Sequence, residues 1–215
     1  MRRSLQAIHD RLLRAYDHQR WWPADTSFEV MVGAILTQNT SWKNVELAIA
    51  KLRVAGMLDA ESIAACDEAR LGELIRSSGF FNQKAVRLKS FSRFYLNHGR
   101  ETGLAAMDHP RRALLSLPGI GPETADSMLL YALNIPVFVV DAYTKRIFSR
   151  LGLLTADASY AESQQLFHDH LTVEASLFNE YHALIVAHAK RHCRVKPQCV
   201  DCPLLDLCPT GQSAG

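Results

Sequence analysis

The sequence predicts an all-α protein of roughly ten helices. Three observations predict this. Apolar residues recur at helical spacing along nearly the whole chain. The 215 residues are 48% hydrophobic and 21% charged, enough for a sizeable core and too apolar for a disordered chain. The one β-like run, Val-Phe-Val-Val at residues 137–140, is too short to imply a sheet.

The elements follow in order. Residues 4–20 are charged throughout and read as an amphipathic helix, not a leader peptide. Ser27 precedes the apolar stretch 28–36 and reads as its N-cap. Helical periodicity then covers 45–52, 71–75, 85–94, 113–117 and 125–133. It returns over 143–151, 160–171 and 177–189. The connection Ser77-Ser78-Gly79 is short and polar, no repeat or low-complexity tract occurs, and disorder is expected only at residues 210–215.

Charge does not identify a partner by itself. The chain has 24 basic and 22 acidic residues, a formal net charge of +2. Basic residues group as Lys84, Arg87 and Lys89, as Lys145, Arg146 and Arg150, and as Lys190, Arg191, Arg194 and Lys196. Each group taken alone reads as a solvated helix face. No apolar run is long enough to span a bilayer. The expectation is a cytosolic monomer with reduced thiols, so four cysteines crowded into the tail point to a metal.

Leu117-Pro118-Gly119-Ile120-Gly121-Pro122-Glu123-Thr124-Ala125 lies between two helical segments. Pro118 interrupts the first helix, the two glycines permit a tight turn and close backbone approach, and Pro122 suits the first turn of the next helix. Backbone amides at such a helix start can hold a phosphate without side-chain charge. Alone, the segment reads first as an ordinary helix–helix turn. The run 137–140 then delivers Asp141, which opens another helix.

In this order the segment resembles the helix-hairpin-helix DNA glycosylases of the endonuclease III superfamily. Their mark is Leu-Pro-Gly-x-Gly, a helix, an apolar stretch and a catalytic Asp. The resemblance implies a two-lobed fold, with 22–133 as the central lobe carrying the hairpin. Residues 1–21 and 134–215 would form the other lobe. It implies a flipped nucleotide and Asp141 stabilising positive charge on the sugar while helping to activate water. Double-stranded DNA with a damaged base would bind across the cleft, contacted by Gln38, Gly119, Gly121, Thr124, Arg194 and Lys196. Gln38 would act as a wedge in the gap left by the flipped base. Bifunctional members carry a lysine two residues after the second glycine, where this chain has Glu123. A carboxylate cannot form a Schiff base, so a monofunctional enzyme is expected, with Lys145 a poor substitute.

Cys193, Cys199, Cys202 and Cys208 have the spacing C-x5-C-x2-C-x5-C. Four thiolates suit either zinc or a [4Fe–4S] cluster. The resemblance implies the cluster, since the family ends in C-x6-C-x2-C-x5-C, although the first gap here is one residue shorter. Cys66 reads as a buried apolar residue.

Trp21-Trp22-Pro23 and Thr37-Gln38-Asn39-Thr40-Ser41-Trp42 stand out among the remaining segments. With 78–85 and 121–126 they resemble the bacterial 3-methyladenine DNA glycosylases of endonuclease III type. That branch implies a base pocket of Trp21, Trp22, Pro23 and Trp42. Stacked aromatics suit cationic alkylpurines, and no obvious hydrogen-bonding group stands beside them. Rivals are a glycosylase for uracil, a mispaired base or an oxidised pyrimidine, or a DNA-binding module without catalysis. His182 and His188 read as buried helix residues with no chemistry.

Overall fold

A computed structural model describes residues 4–19 and 21–213. Every regular element among them is helical. The chain divides into two units. One comprises Trp22–Ile135, the other Met1–Trp21 with Pro136–Gly215.

In the Trp22–Ile135 unit, α2 (Ser27–Leu36) is buried at nearly every position. Its cap is Thr26, whose hydroxyl accepts from the Glu29 N–H, so Ser27 is already helical instead of capping. Around it lie α3 (Trp42–Val54), α4 (Ala60–Ala65), α5 (Glu68–Leu74), α6 (Phe81–Asn97), α7 (Arg100–Ala105), α8 (Pro110–Leu115) and α9 (Pro122–Ser127). The sequence pattern missed α4 and α7. Each has six residues and buries too few side chains to show a period. The predicted helix 125–133 begins as α9 and then widens into a π-helical turn, Met128–Ala132.

Two of the lysines read as surface charges are buried. Lys84 is 1% exposed and donates to the carbonyls of Leu36 at 2.9 Å and Ser78 at 2.6 Å. Burial, then the nearby Arg87, lowers its pKa to about 8. It ties the end of α2 to the turn before α6. Lys89 donates to the carbonyl of Cys66. Cys66 is therefore the half-buried cap of α4 and not a core residue.

The other unit contains α1 (Leu5–Tyr16), α10 (Ala142–Arg150), α11 (Tyr160–His170), α12 (Ala175–Arg191) and the short α13 (Pro209–Gln212). Ser4 caps α1, which stops at Tyr16, short of the predicted end. The aromatic core packs Phe138 face to face on Phe167, with ring centroids 3.6 Å apart, and edge-on against Phe178. Burial of one such ring is worth about 1.5–3 kcal/mol. This anchors the extended run 137–140, all four of whose residues are buried. No partner strand satisfies its backbone among the described residues. Side chains of α11 do so. His168 Nε2 accepts from the Phe138 N–H at 3.1 Å, and Gln164 donates to the Phe138 carbonyl at 2.7 Å. Tyr160 accepts from the Val140 N–H at 3.4 Å. The next residue is Asp141.

Candidate active site

Asp141 leaves that run and caps α10. Its Oδ1 accepts from the Thr144 N–H at 2.7 Å and from the Thr144 hydroxyl at 2.9 Å. Thr144 returns the contact, accepting from the Asp141 N–H to complete a capping box. Oδ2 faces His182 of α12, with Nε2 3.6 Å away. The Asp141 side chain is 15% exposed. Burial pushes its carboxyl up. The contact and charge of His182, then the two Thr144 donors, outweigh burial and hold it below the usual carboxylate range. The result is an anion in a mostly desolvated setting at the start of a helix.

The hairpin is braced from within its own unit. The Ile120 N–H donates to the Leu117 carbonyl at 3.1 Å and closes the turn. Gly119 has φ +80, and a Cβ there would lie 2.2 Å from Arg87 Nε. Both conformation and close approach therefore demand glycine. Gly121 differs from the sequence expectation. Its backbone is extended, and an added Cβ would meet nothing within 4 Å. Pro122 begins α9 as expected.

Gln38 does not project as a wedge. Its Nε2 donates to the Gly119 carbonyl and to the Thr124 hydroxyl, each at 2.9 Å, while its Oε1 accepts from Arg87 at 2.6 Å. Thr124 is buried, so its side chain braces the hairpin and does not reach outward. A further clamp joins the helices on either side. Arg111 of α8 grips the fully buried Asp126 of α9 through Nε at 2.6 Å and Nη2 at 3.0 Å.

The four base-pocket residues fall in different surroundings. Trp22 packs on Gly33 of α2, where a Cβ would meet its ring at 3.1 Å. It makes an edge contact with Trp42 at 5.0 Å and a tilted one with Tyr131 at 5.2 Å. Pro23 and Trp42 line a cavity with Asp25, Glu29, Glu46 and Arg53. Trp21 belongs to the other unit, with Lys190 Nζ 6.0 Å from its ring. The expectation that no hydrogen-bonding group stands beside the tryptophans is wrong. Trp42 Nε1 donates to Glu46 at 2.9 Å, and the buried Glu29 carboxylate takes Arg53 at 2.7 Å.

The four tail cysteines line one cavity with Arg150 and His188, and none forms a disulfide. Arg150, the last residue of α10, joins both ends of the motif. Its Nη1 lies 3.2 Å from Cys193 Sγ and donates to the Arg194 carbonyl at 2.6 Å, while Nη2 donates to the Val195 carbonyl at 2.9 Å. Its own carbonyl accepts from Thr210 at 3.1 Å and faces Cys208 Sγ at 3.5 Å. Arg146 adds a bond to the Cys193 carbonyl at 2.8 Å. Arg194 and Lys196 are exposed on this loop, with Arg194 Nε bonded back to the Lys190 carbonyl. Among the described residues, no three His, Cys, Asp or Glu side chains form a group that would hold a metal ion.

A family model described as "HhH-GPD superfamily base excision DNA repair protein" matches residues 32–171, a span that contains both the hairpin and Asp141. The chain belongs to that superfamily. It is a base excision repair DNA glycosylase, as the Leu-Pro-Gly-x-Gly segment and Asp141 implied. The glycosylase is 50% identical over 206 residues to a candidate DNA repair glycosylase of Methanocaldococcus jannaschii, covering 94% of each chain. A structure of the Helicobacter pylori 3-methyladenine DNA glycosylase bound to 1,N6-ethenoadenine aligns with TM-score 0.76 and 29% identity, over 86% of this chain and 96% of that one. A trapped endonuclease III–DNA covalent intermediate aligns with TM-score 0.84 over 97% of this chain and 96% of that one, at 23% identity, and so shares the fold.

Sequence reasoning about the glycosylase missed His182, Arg87, Arg111 and Arg150. His182 was set aside because a helix histidine carries no local signal, and the three arginines looked like any others. Each acquires its partner from a residue at least 15 positions away.

Proposed function

We propose that this glycosylase is monofunctional and hydrolyses the N-glycosidic bond of alkylated purines such as 3-methyladenine in duplex DNA. The observation that carries the reading is the buried Asp141 carboxylate, kept ionised at the start of α10 by His182 and Thr144. In the reaction the glycosidic electron pair leaves with the base. A base alkylated at N3 or N7 is already cationic and departs neutral. Positive charge develops on the sugar, where a preorganised anion stabilises it. Water then adds to the anomeric carbon and gives its proton to Asp141. Oδ1 is occupied by Thr144, which leaves Oδ2 for these tasks.

The cavity beside Trp42 supports a cationic substrate, because its lining carboxylates Asp25, Glu29 and Glu46 outnumber its guanidinium, Arg53. The H. pylori relative, a 3-methyladenine glycosylase by name, supports the same class. Glu123 in place of the hairpin lysine supports hydrolysis without strand cleavage.

The cofactor in this reading is a [4Fe–4S] cluster held by Cys193, Cys199, Cys202 and Cys208. The support is that all four thiols line one cavity, and that this donor set suits a cysteine-ligated cluster. Bound there, the cluster supplies one common anchor for the tail, while Arg146 and Arg150 orient the loop toward it.

The test compares single-turnover excision of 7-methylguanine, uracil and thymine glycol in matched duplexes by wild type and Asp141→Asn. Rapid release of 7-methylguanine, abolished in the variant and without a borohydride-trapped adduct, is the expected result. Faster removal of a neutral base would overturn the alkylpurine reading. A strong trapped band would overturn the monofunctional one.

A further inference from the structure

We propose that His182 is a positioning residue that sets the charge state of Asp141 and aims its second oxygen. The inference rests on Asp141 being the reacting carboxylate. His182 is 6% exposed, on the stretch of α12 whose neighbours Phe178, Tyr181 and Ile185 are fully buried. Its height along α12 is therefore fixed by the core. Both Thr144 donors fall on Oδ1. The other oxygen meets Nε2 of His182 at 3.6 Å, a separation that a small closure converts into a hydrogen bond.

Other titratable groups near the carboxylate are committed elsewhere. Lys145 on α10 donates to the Ala158 carbonyl at 2.7 Å. Tyr160 and His168 on α11 receive the backbone N–H groups of Val140 and Phe138. His188, farther along α12, lies 2.8 Å from the Tyr16 hydroxyl. Among the described residues, His182 is the ionisable side chain that forms an ion-pair contact with Asp141.

In this proposal Nε2 carries a proton toward Oδ2 and so opposes the burial that raises the Asp141 carboxyl pKa. The sign of the effect follows. A carboxyl with a lowered folded-state pKa keeps its charge until the pH falls through that lowered value. Remove the ring and burial is less opposed, so protonation moves to higher pH. The acid limb of the rate profile moves with it, while rates at alkaline pH change little. Glutamine retains an N–H donor and keeps the limb nearer its original place.

The experiment follows single-turnover excision from a 7-methylguanine duplex, with uracil and thymine glycol duplexes in parallel, between about pH 3 and 8.5, so that the wild-type limb falls inside the window. Wild type, His182→Leu, His182→Gln and Asp141→Asn are compared. The Asp141 carboxyl titration is read independently by carbon NMR and assigned by its loss in Asp141→Asn. The expected result is an acid limb and a carboxyl midpoint both displaced upward in His182→Leu and largely restored in His182→Gln. A uniform rate loss at every pH with an unmoved midpoint assigns His182 a packing role and overturns the inference. Undiminished excision by Asp141→Asn instead overturns the assignment of the reacting carboxylate, and the NMR midpoint still reports whether the pair exists.

Discussion

The hairpin and the cysteine loop are both irregular stretches next to helices, yet they are held in opposite ways. The hairpin is closed by the protein's own side chains. Gln38 binds its backbone, Arg87 binds Gln38 and lies against Gly119, and Arg111 locks α8 to α9 through Asp126. The cysteine loop has two arginines binding it from α10, but residues 194–198 are exposed and its four thiols do not bond to one another. A preformed site needs no ligand to exist, whereas a cysteine loop that binds a metal centre would gain order as it captures it. The comparison teaches that binding geometry and lobe stability draw on different sources in this chain.

The largest expected effect tests the ligand-dependent half. Cys199→Ser should remove nearly all bound iron and sharply raise hydrogen exchange across α13 and residues 193–208. Exchange in α8 and α9 should stay unchanged. Colourless wild-type protein holding stoichiometric zinc would break the comparison at its base.

Arg111→Met should come next, on the preformed side. It takes the guanidinium clamp from the buried Asp126 carboxylate, a loss of about 3 kcal/mol, the low end for buried pairs because Arg111 is itself 40% exposed. For a chain of this size that lowers the thermal midpoint by roughly 6–12 °C, with iron content unaffected. Loss of iron in this variant would show that the two regions are not independent.

Gly119→Ala is expected to destabilise by about 1–3 kcal/mol, because alanine pays for φ > 0 and displaces the Arg87 guanidinium. DNA affinity should fall with it, measured on an undamaged duplex. Gly121→Ala is the control. It has an extended backbone and open space, so any loss of DNA affinity there without loss of stability would mark direct approach of the phosphate backbone.

The smallest effect belongs to Gln38→Ala, about 1 kcal/mol in stability for the bonds lost at the hairpin. A loss of excision far beyond that, with the hairpin still protected from exchange, would favour a wedge role after all.

The family was legible because its marks are local. Leu117 to Ala125 carries its turn chemistry in consecutive residues, and the apolar run before Asp141 follows in the same stretch. Most helices announce themselves by period, and those that do not, α4, α7 and α13, are too short to have one; α13 covers residues 209–212, where the sequence predicts disorder from 210. The cysteine spacing was equally plain, although spacing alone did not choose between a metal ion and a cluster.

What the sequence could not determine is everything that depends on which distant side chain arrives next to which backbone. Val-Phe-Val-Val looked like a strand without a sheet, and only the tertiary structure supplies His168, Gln164 and Tyr160 in place of a partner strand. Lys84 and Lys89 read as solvated charges until the fold buried them against carbonyls. Asp141 is recognisable in sequence as a helix cap, and by resemblance as the catalytic candidate. Its lowered carboxyl pKa in a buried site is owed to Thr144 nearby in sequence and also to His182, 41 positions later, because the energy of a charge depends on the groups around it in space and not on its place in the chain.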